Sequence, residues 1–411
     1  MLPPEGVPGR QQRKRMSNKK YIIPLAFIGM MFFTVGFATG INGYFVPFLE
    51  NNLHLTSAQS YLVIAATFLA FLVFSFPASS IIAKIGYKRT MSLSFFMFAI
   101  AFGLFIPAAR LESFALYLLA CFISGTANTV LQAAINPYVT ILGPIDSAAR
   151  RISIMGICNS CALALPSVFI AAVTRKPIEA VGLQDLDKPL IIIIAVVALL
   201  GIITFFAPLE EIKAEGEENP EDCPYAAGKS SIWQFPHLVL GALALFVYVG
   251  VENLALLTVL DYAQGLGLSN PESYTIWPGI GMAAGYIVGI VCIPRIISQV
   301  KALRICTWLA VIDSLLIVLT PPQVSVWCVA LLSFACSLMY PAIWPLAITE
   351  LGKFTKKGSS LLVASIGGGA LIPLLFGAMK DWVGMQKAYW ICLPFYLLIM
   401  FYAYYGYKIR K

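Results

Sequence analysis

Long apolar runs separated by short polar and basic stretches make up most of the chain. A helix that crosses a bilayer needs about 20 predominantly apolar residues. Twelve such runs can be placed, at roughly 21–49, 57–83, 90–109, 114–142, 152–174, 189–207, 234–263, 273–294, 303–320, 326–349, 359–379 and 388–407. The pattern predicts an all-α integral membrane protein with twelve transmembrane helices. One polar interruption is long: APLEEIKAEGEENPEDCPYAAGKSS, 207–231, is rich in Glu, Pro and Gly and poorly suited to burying a core. It divides the runs six and six. The expected organisation is a cytoplasmic tail (1–20), a six-helix half (21–207), a cytoplasmic linker (208–231) and a second six-helix half (232–411).

Composition agrees with the pattern. Of the 411 residues 59% are hydrophobic and 12% charged, where a soluble domain carries roughly a quarter charged residues. Lys and Arg resist translocation and collect on the cytoplasmic side. With both termini inside, all but six of the 28 basic residues fall there; the six are Arg110, Arg175, Lys176, Lys188, Lys380 and Lys387. The net charge of +8 therefore reports membrane orientation and gives no reason to expect nucleic acid as a partner. The nine cysteines lie almost entirely in apolar runs, where they behave as small hydrophobes; Cys158 and Cys161 have CxxC spacing without further metal ligands nearby in sequence. The first apolar run is too long for a signal-peptide core, so it is expected to remain as a helix. Met16 opens MSNKKYIIPL and is a plausible start, which would make residues 1–15 an upstream extension.

The first run contains GFATGINGYFVPFLE, 36–50, with three glycines, an asparagine and a proline. Gly36, Gly40 and Gly43 weaken a helix, and Pro47 removes a backbone donor. Backbone freed at this depth is tolerated where protein or a water-filled cavity satisfies it. The stretch is thus expected to line a cavity, with Asn42 facing it; the alternative is that the glycines let helices approach closely. Weak echoes relate the two halves: NPYVTILG (136–143) resembles WPLAITELG (344–352), and ALALPSVF (162–169) resembles GALIPLLF (369–376). Duplicated six-span halves are the architecture of the major facilitator superfamily, whose substrate site lies near the midplane between them.

Polar residues inside the spans are the candidate chemistry. Asn128, Gln132 and Asn136 recur every four positions in ISGTANTVLQAAINPYV, and each step of four rotates by about 40° on an α-helix. They share one narrow stripe that must face the bundle interior, because amides facing lipid would go unpaired. The functional reading is a row of amides for sugar hydroxyls; the structural one is hydrogen bonding between helices, and Asn136 could also satisfy backbone loosened by Pro137. Asn159, beside Gly156 and Ser160 in span five, adds another amide. Carboxylates within spans are functional candidates by default. Glu252, in YVGVENLALL, is a coupling or ligand candidate and a candidate sodium site; Asp313, in LAVIDSLLIV, is a second coupling candidate whose alternative is a structural pair. Asp261 and Glu50 fall at span ends, where a solvated role is expected. Tyr340 and Trp344, four apart in span ten, could present ring faces to a sugar or simply pack.

Four stretches carry a family resemblance: GFATGINGYFVPFL, FPASSIIAKIGYKRTMSL, LQAAINPYVTILGP and RISIMGICNS. With them the chain resembles the fucose/galactose/glucose:cation symporter family of the major facilitator superfamily, typified by L-fucose permease and glucose/galactose transporters. The likeness spans most of 21–408 and is sharpest in the first half. It implies a monosaccharide transporter of a bacterial inner (plasma) membrane, working by alternating access, with no catalytic residues and no cofactor. In L-fucose permease one carboxylate follows the asparagine of span one and another opens the LQAAINPYV motif. Here those positions are Gly43 and Gln132, and neither can carry a proton at neutral pH. Gln132 fits the glucose/galactose pattern, Asn159 falls on the family's span-five asparagine, and Asn42 on that of span one.

The expected function is inward transport of a hexose such as glucose or galactose, or of fucose, by a monomer. Asn42, Gln132, Asn136, Asn159, Glu252, Tyr340 and Trp344 are the expected sugar contacts. Coupling is expected at Glu252 and Asp313, to sodium ahead of proton. Uncoupled facilitation and export of drugs or metabolites are the alternatives.

Overall fold

A computed structural model describes residues 18–217 and 219–409. The tail up to residue 17, with the upstream extension considered above and Arg10, Arg13, Lys14 and Arg15, lies outside the described residues, as do Arg410 and Lys411. Among those described, ten helices are long and apolar enough to cross a membrane, and one further apolar helix, Trp277–Cys292, is shorter. Large apolar side chains such as Ile191, Leu199, Ile305, Leu331 and Leu374 are exposed on the outer faces, as expected where the solvent is lipid.

The helices used below are α1 Asn18–Asn52, α2 Leu62–Arg110, α3 Phe114–Ile141, α4 Ala148–Leu163, α5 Leu165–Thr174 and α6 Asp187–Phe206 in the first half. The second half contributes α7 Pro236–Leu257, α8 Val259–Gly265, α9 Trp277–Cys292, α10 Gln299–Leu319, α11 Pro322–Cys336, α12 Met339–Ile348, α13 Thr355–Ala364, α14 Gly368–Val383 and α15 Cys392–Tyr404. Local sequence accounts for several boundaries. Ser113 and Ser298 accept from the amides of Leu116 and Lys301 at the starts of α3 and α10, the usual N-cap arrangement. Pro236, Pro278 and Pro322 sit at the first or second helical position, where their missing amide hydrogen costs nothing.

The 49 residues of α2 would extend about 74 Å if helical throughout, more than twice the hydrocarbon thickness. The helix is interrupted at Gly86, with φ +83° and ψ 171°, a conformation that favours glycine. The two expected spans at 57–83 and 90–109 are therefore the two limbs of α2, folded at Gly86.

Each half is knitted by the same device. In the first half α1 presses against α4: a Cβ at Gly36 would come within 2.1 Å of the Asn159 carbonyl oxygen, and one at Gly40 within 2.3 Å of that of Leu163. In the second, α7 meets α14, with Gly250 against Ile372 and Gly368 against the carbonyl of Phe246. Close backbone approach through glycine drives helix association in lipid, where there is little hydrophobic gain. So Gly36 and Gly40 serve packing, the second of the two readings of that stretch, whereas Gly43 faces open space, with nothing within 4 Å of where a methyl group would sit.

The halves meet through α2 on α13 and α4 on α9 and α12. Gly367 and Gly369 admit Leu72 and Phe68 of α2. The linker differs from its sequence reading. Although its composition suggests little structure, Leu209, Cys223 and Ala226 are buried and Tyr225 packs edge-on against Phe235. Its glutamates supply the difference: Glu211 accepts from the backbone amides of Tyr87 at 2.8 Å and Lys88 at 3.0 Å, and Glu217 pairs with Lys356 at 2.7 Å. The linker is thus fastened to both halves.

Candidate functional site

Proximity in the fold is consistent with the amide stripe read from the sequence. Asn136 Nδ2 donates to Gln132 Oε1 at 3.5 Å, Gln132 Nε2 to Asn128 Oδ1 at 3.0 Å, and Asn128 Nδ2 to Thr39 Oγ1 on α1 at 3.1 Å. The row is a continuous relay that ends on a neighbouring helix. Asn128 and Asn136 are buried, while Gln132 keeps partial access. Asn136 does not turn back on the backbone before Pro137. It is Thr140 that donates to the Asn136 carbonyl, at 2.8 Å.

Asn42 is 3% exposed, and its Nδ2 donates to Thr67 Oγ1 at 3.1 Å and Ser124 Oγ at 3.4 Å. Its amide therefore joins α1, α2 and α3, which is the interhelical role, while its Oδ1 has no hydrogen-bond partner. Asn136 Oδ1 and Trp344 Nε1 are likewise buried without a partner at hydrogen-bonding distance. Leaving such a group unmatched costs about 1–3 kcal/mol. Asn159 is half-buried on α4, beside the α1 contact at Gly36.

The second half contributes a different set. Tyr248 Oη donates to Glu252 Oε1 at 2.7 Å, one turn apart on α7. Tyr248 and Tyr340 rings lie 6.3 Å apart, and Tyr340 stacks on Trp344 at 5.7 Å with planes 27° apart. Tyr340 also comes up against the amide of Asn136, so the aromatic column of α12 touches the amide stripe of α3. Tyr286 on α9, Cys336 on α11 and Tyr340 on α12 all lie within electrostatic range of the Glu252 carboxylate. Asp313 stands apart from this group, with its carboxylate against the Cys328 thiol and its Oδ2 without a partner. Of the end-of-span carboxylates, Asp261 is exposed and pairs with Lys380 at 2.6 Å, whereas Glu50 accepts from the buried Ser60 at 3.2 Å.

Several residues around these groups were not singled out by sequence. Tyr248 carries a readable signal, a phenol four residues before an intramembrane glutamate. Thr39, Thr67 and Ser124 do not, because hydroxyls in spans usually bond back to their own helix, as Thr39 and Thr67 also do here. A cavity of about 1330 Å³ lies at the linker end, bounded by Tyr138, Thr140, Glu211, Tyr225, Ile348 and Thr349 among others. None of the candidate sugar contacts lines it; Tyr138 and Ile348 follow Asn136 and Trp344 by two and four residues, which places the cavity just beyond the site toward the linker.

Known proteins resemble this chain over nearly its whole length. The family model described as Major Facilitator Superfamily matches residues 28–362. A glucose/galactose transporter of Brucella abortus is 33% identical over 404 residues, covering 95% of this chain and 96% of the relative. The L-fucose-proton symporter of Escherichia coli K12 is 25% identical over 390 residues, covering 89% of each. Among solved structures, the transporter FucP in its outward conformation superposes with a TM-score of 0.79 at 23% identity, covering 95% of this chain and 99% of that one. These relatives are transporters and not enzymes, and they bear out the family resemblance read from the four sequence stretches.

Proposed function

Because the chain belongs to the major facilitator superfamily, a family of multi-pass membrane transporters, we propose that it imports a monosaccharide across a bacterial inner membrane by alternating access. The substrate class is a hexose such as glucose or galactose, or fucose, as the names of the relatives suggest. The observation that carries the proposal is the meeting of Tyr340 with Asn136, which joins the amide row of one half to the aromatic and carboxylate group of the other. Sugars are bound by such a combination: amides serve hydroxyls in both directions, and rings cover the apolar face. In this reading Gln132, Asn136 and Asn159 hold hydroxyls, Asn42 contributes its Oδ1, and Glu252, Tyr340 and Trp344 close the site from the other half.

In this reading the chain makes twelve crossings, counting both limbs of α2 and the short α9, with both termini in the cytoplasm, and is organised as a tail (1–20), a six-helix half (21–207), a linker (208–231) and a second six-helix half (232–411). The halves touch through α2, α4, α9, α12 and α13, with the linker fastened to both. The functional unit is a monomer. Transport is cation-coupled through Glu252, with sodium ahead of proton because Gly43 and Gln132 replace the carboxylates of the fucose branch; Asp313 is a secondary coupling group.

The test is uptake of labelled glucose, galactose, fucose and N-acetylglucosamine into proteoliposomes under a sodium gradient, a pH gradient, or neither. Sodium-driven accumulation of one of them is expected. Equilibration without accumulation would make the protein a facilitator, and flux of apolar compounds with no sugar flux would make it an exporter.

A further inference from the structure

Helix α4 carries two features that face in different directions. Its Asn159 is a candidate sugar contact, with Gly36 of α1 lodged against its backbone. Three residues earlier, Gly156 faces the other half. A methyl group there would lie 2.6–2.9 Å from three atoms at the hydroxyl end of the Tyr286 ring, so the ring rests directly on the α4 backbone. Tyr286 belongs to α9 and is only 7% exposed. One turn farther along α9, a methyl group at Gly289 would lie 2.4 Å from Leu338 and 3.0 Å from Ser153 Oγ of α4. The Tyr286 phenol in turn lies within electrostatic range of Glu252 and Tyr340.

Glu252 accepts a hydrogen bond from Tyr248 of its own helix, and Tyr286 of α9, Cys336 of α11 and Tyr340 of α12 lie within its electrostatic range. Of these four, Tyr286 is the one seated on the backbone of the opposite half. Packed interiors transmit displacement because they have no slack, and a glycine contact has less than most. We propose that Tyr286 is a positioning residue that couples movement of α4 to the environment of Glu252, so that sugar engaged by Asn159 and cation engaged at Glu252 sense one another. The proposal rests on the sugar and cation reading above. Glycine is required at 156 because only a bare backbone lets the ring reach across.

The experiment uses the full chain in proteoliposomes and two readings: exchange of labelled for unlabelled hexose without any ion gradient, and accumulation driven by the gradient that works for the unaltered protein. In Tyr286→Phe, which keeps the ring and removes the hydroxyl, exchange should stay within about twofold while accumulation falls about tenfold, the scale of a typical coupling between sites. Gly156→Ala, which pushes the ring away, should do the same. Combining Gly156→Ala with Tyr286→Leu relieves the crowding and should restore thermal stability without restoring accumulation. Full accumulation in Tyr286→Phe overturns the proposal, as does a parallel loss of exchange and accumulation in that variant, which would mark Tyr286 as packing alone. If the unaltered protein exchanges no hexose, the proposed function falls and this inference with it. That outcome is distinct from one in which exchange is intact and only the coupling variant behaves as the unaltered protein does.

Discussion

The two sides of the candidate site are built from different chemistry. The first-half side is neutral: Asn128, Gln132 and Asn136 form a hydrogen-bonded row, and Asn42 is tied into Thr67 and Ser124. The second-half side holds a carboxylate, Glu252, against Tyr248, with Tyr340 and Trp344 stacked beside it. An amide can donate and accept but cannot change charge, whereas a buried carboxylate can bind a cation or a proton. In the proposed function, the contrast places hydroxyl recognition mainly in one half and ion coupling in the other. A transporter that must bind sugar in both facing states, yet sense an ion gradient, gains by keeping the two functions on surfaces that move relative to each other.

The sharpest way to break that contrast is Glu252→Gln, which makes the second side neutral too. Gradient-driven accumulation should disappear, measured as the ratio of internal to external sugar falling to unity. Accumulation at the normal level would mean that coupling lies elsewhere, with Asp313 the next residue to examine. Next in size is Gln132→Leu, which removes the partly accessible member of the amide row and its hydrogen bonds to Asn128 and Asn136. Losing hydrogen bonds to a bound polar ligand costs about 1–3 kcal/mol, so sugar affinity should weaken by roughly 5- to 150-fold as read by binding to detergent-solubilised protein. Unchanged affinity would mean that the row only holds helices together.

Much of this arrangement is legible in the sequence. The stripe of Asn128, Gln132 and Asn136 follows from spacing alone, because a periodicity of four on a helix fixes a face. Glu252 stands out because an ionisable group within an apolar run is costly. What spacing does not reveal is which amides are already occupied. Asn42 reads as a cavity ligand, yet most of its donor capacity is used on α2 and α3, residues 25 and 82 positions away. Gly156 and Tyr286 meet across a long stretch of chain, and nothing local marks their contact. The linker misleads for a related reason: its glutamates give it the composition of an unstructured segment, but Glu211 is used on the backbone at the Gly86 fold and Glu217 on Lys356.

The opening glycines allow a comparison within a single helix. Gly36→Ala would force a methyl group to within 2.1 Å of a backbone oxygen that cannot move aside, whereas Gly43→Ala meets open space. The first should destabilise by about 2–3 kcal/mol through overpacking and lower the melting temperature in detergent. The second should leave stability nearly unchanged, since nothing lies within 4 Å of its methyl. Equal effects would mean that the α1–α4 seam is looser than its distances suggest.

The smallest effect is expected at the linker, where the comparison shifts from the two halves to what fastens them. Lys356 pairs with Glu217 while its Nζ also lies 5.7 Å from the centre of the Tyr87 ring, so one side chain of the second half touches both the linker and the first half. Both partners retain some exposure, 23% for Lys356 and 12% for Glu217, and pairs of this kind contribute about 0–1 kcal/mol. Lys356→Gln should therefore shift the balance between facing states by no more than about fivefold, the equivalent of about 1 kcal/mol, with sugar affinity and coupling intact. Because the contact lies at the linker end, the shift should favour opening there. A cysteine placed at Thr140, on the wall of the linker-end cavity, would label faster from the linker side in this variant. Slower labelling would mean that Lys356 separates the halves at this end instead of fastening them.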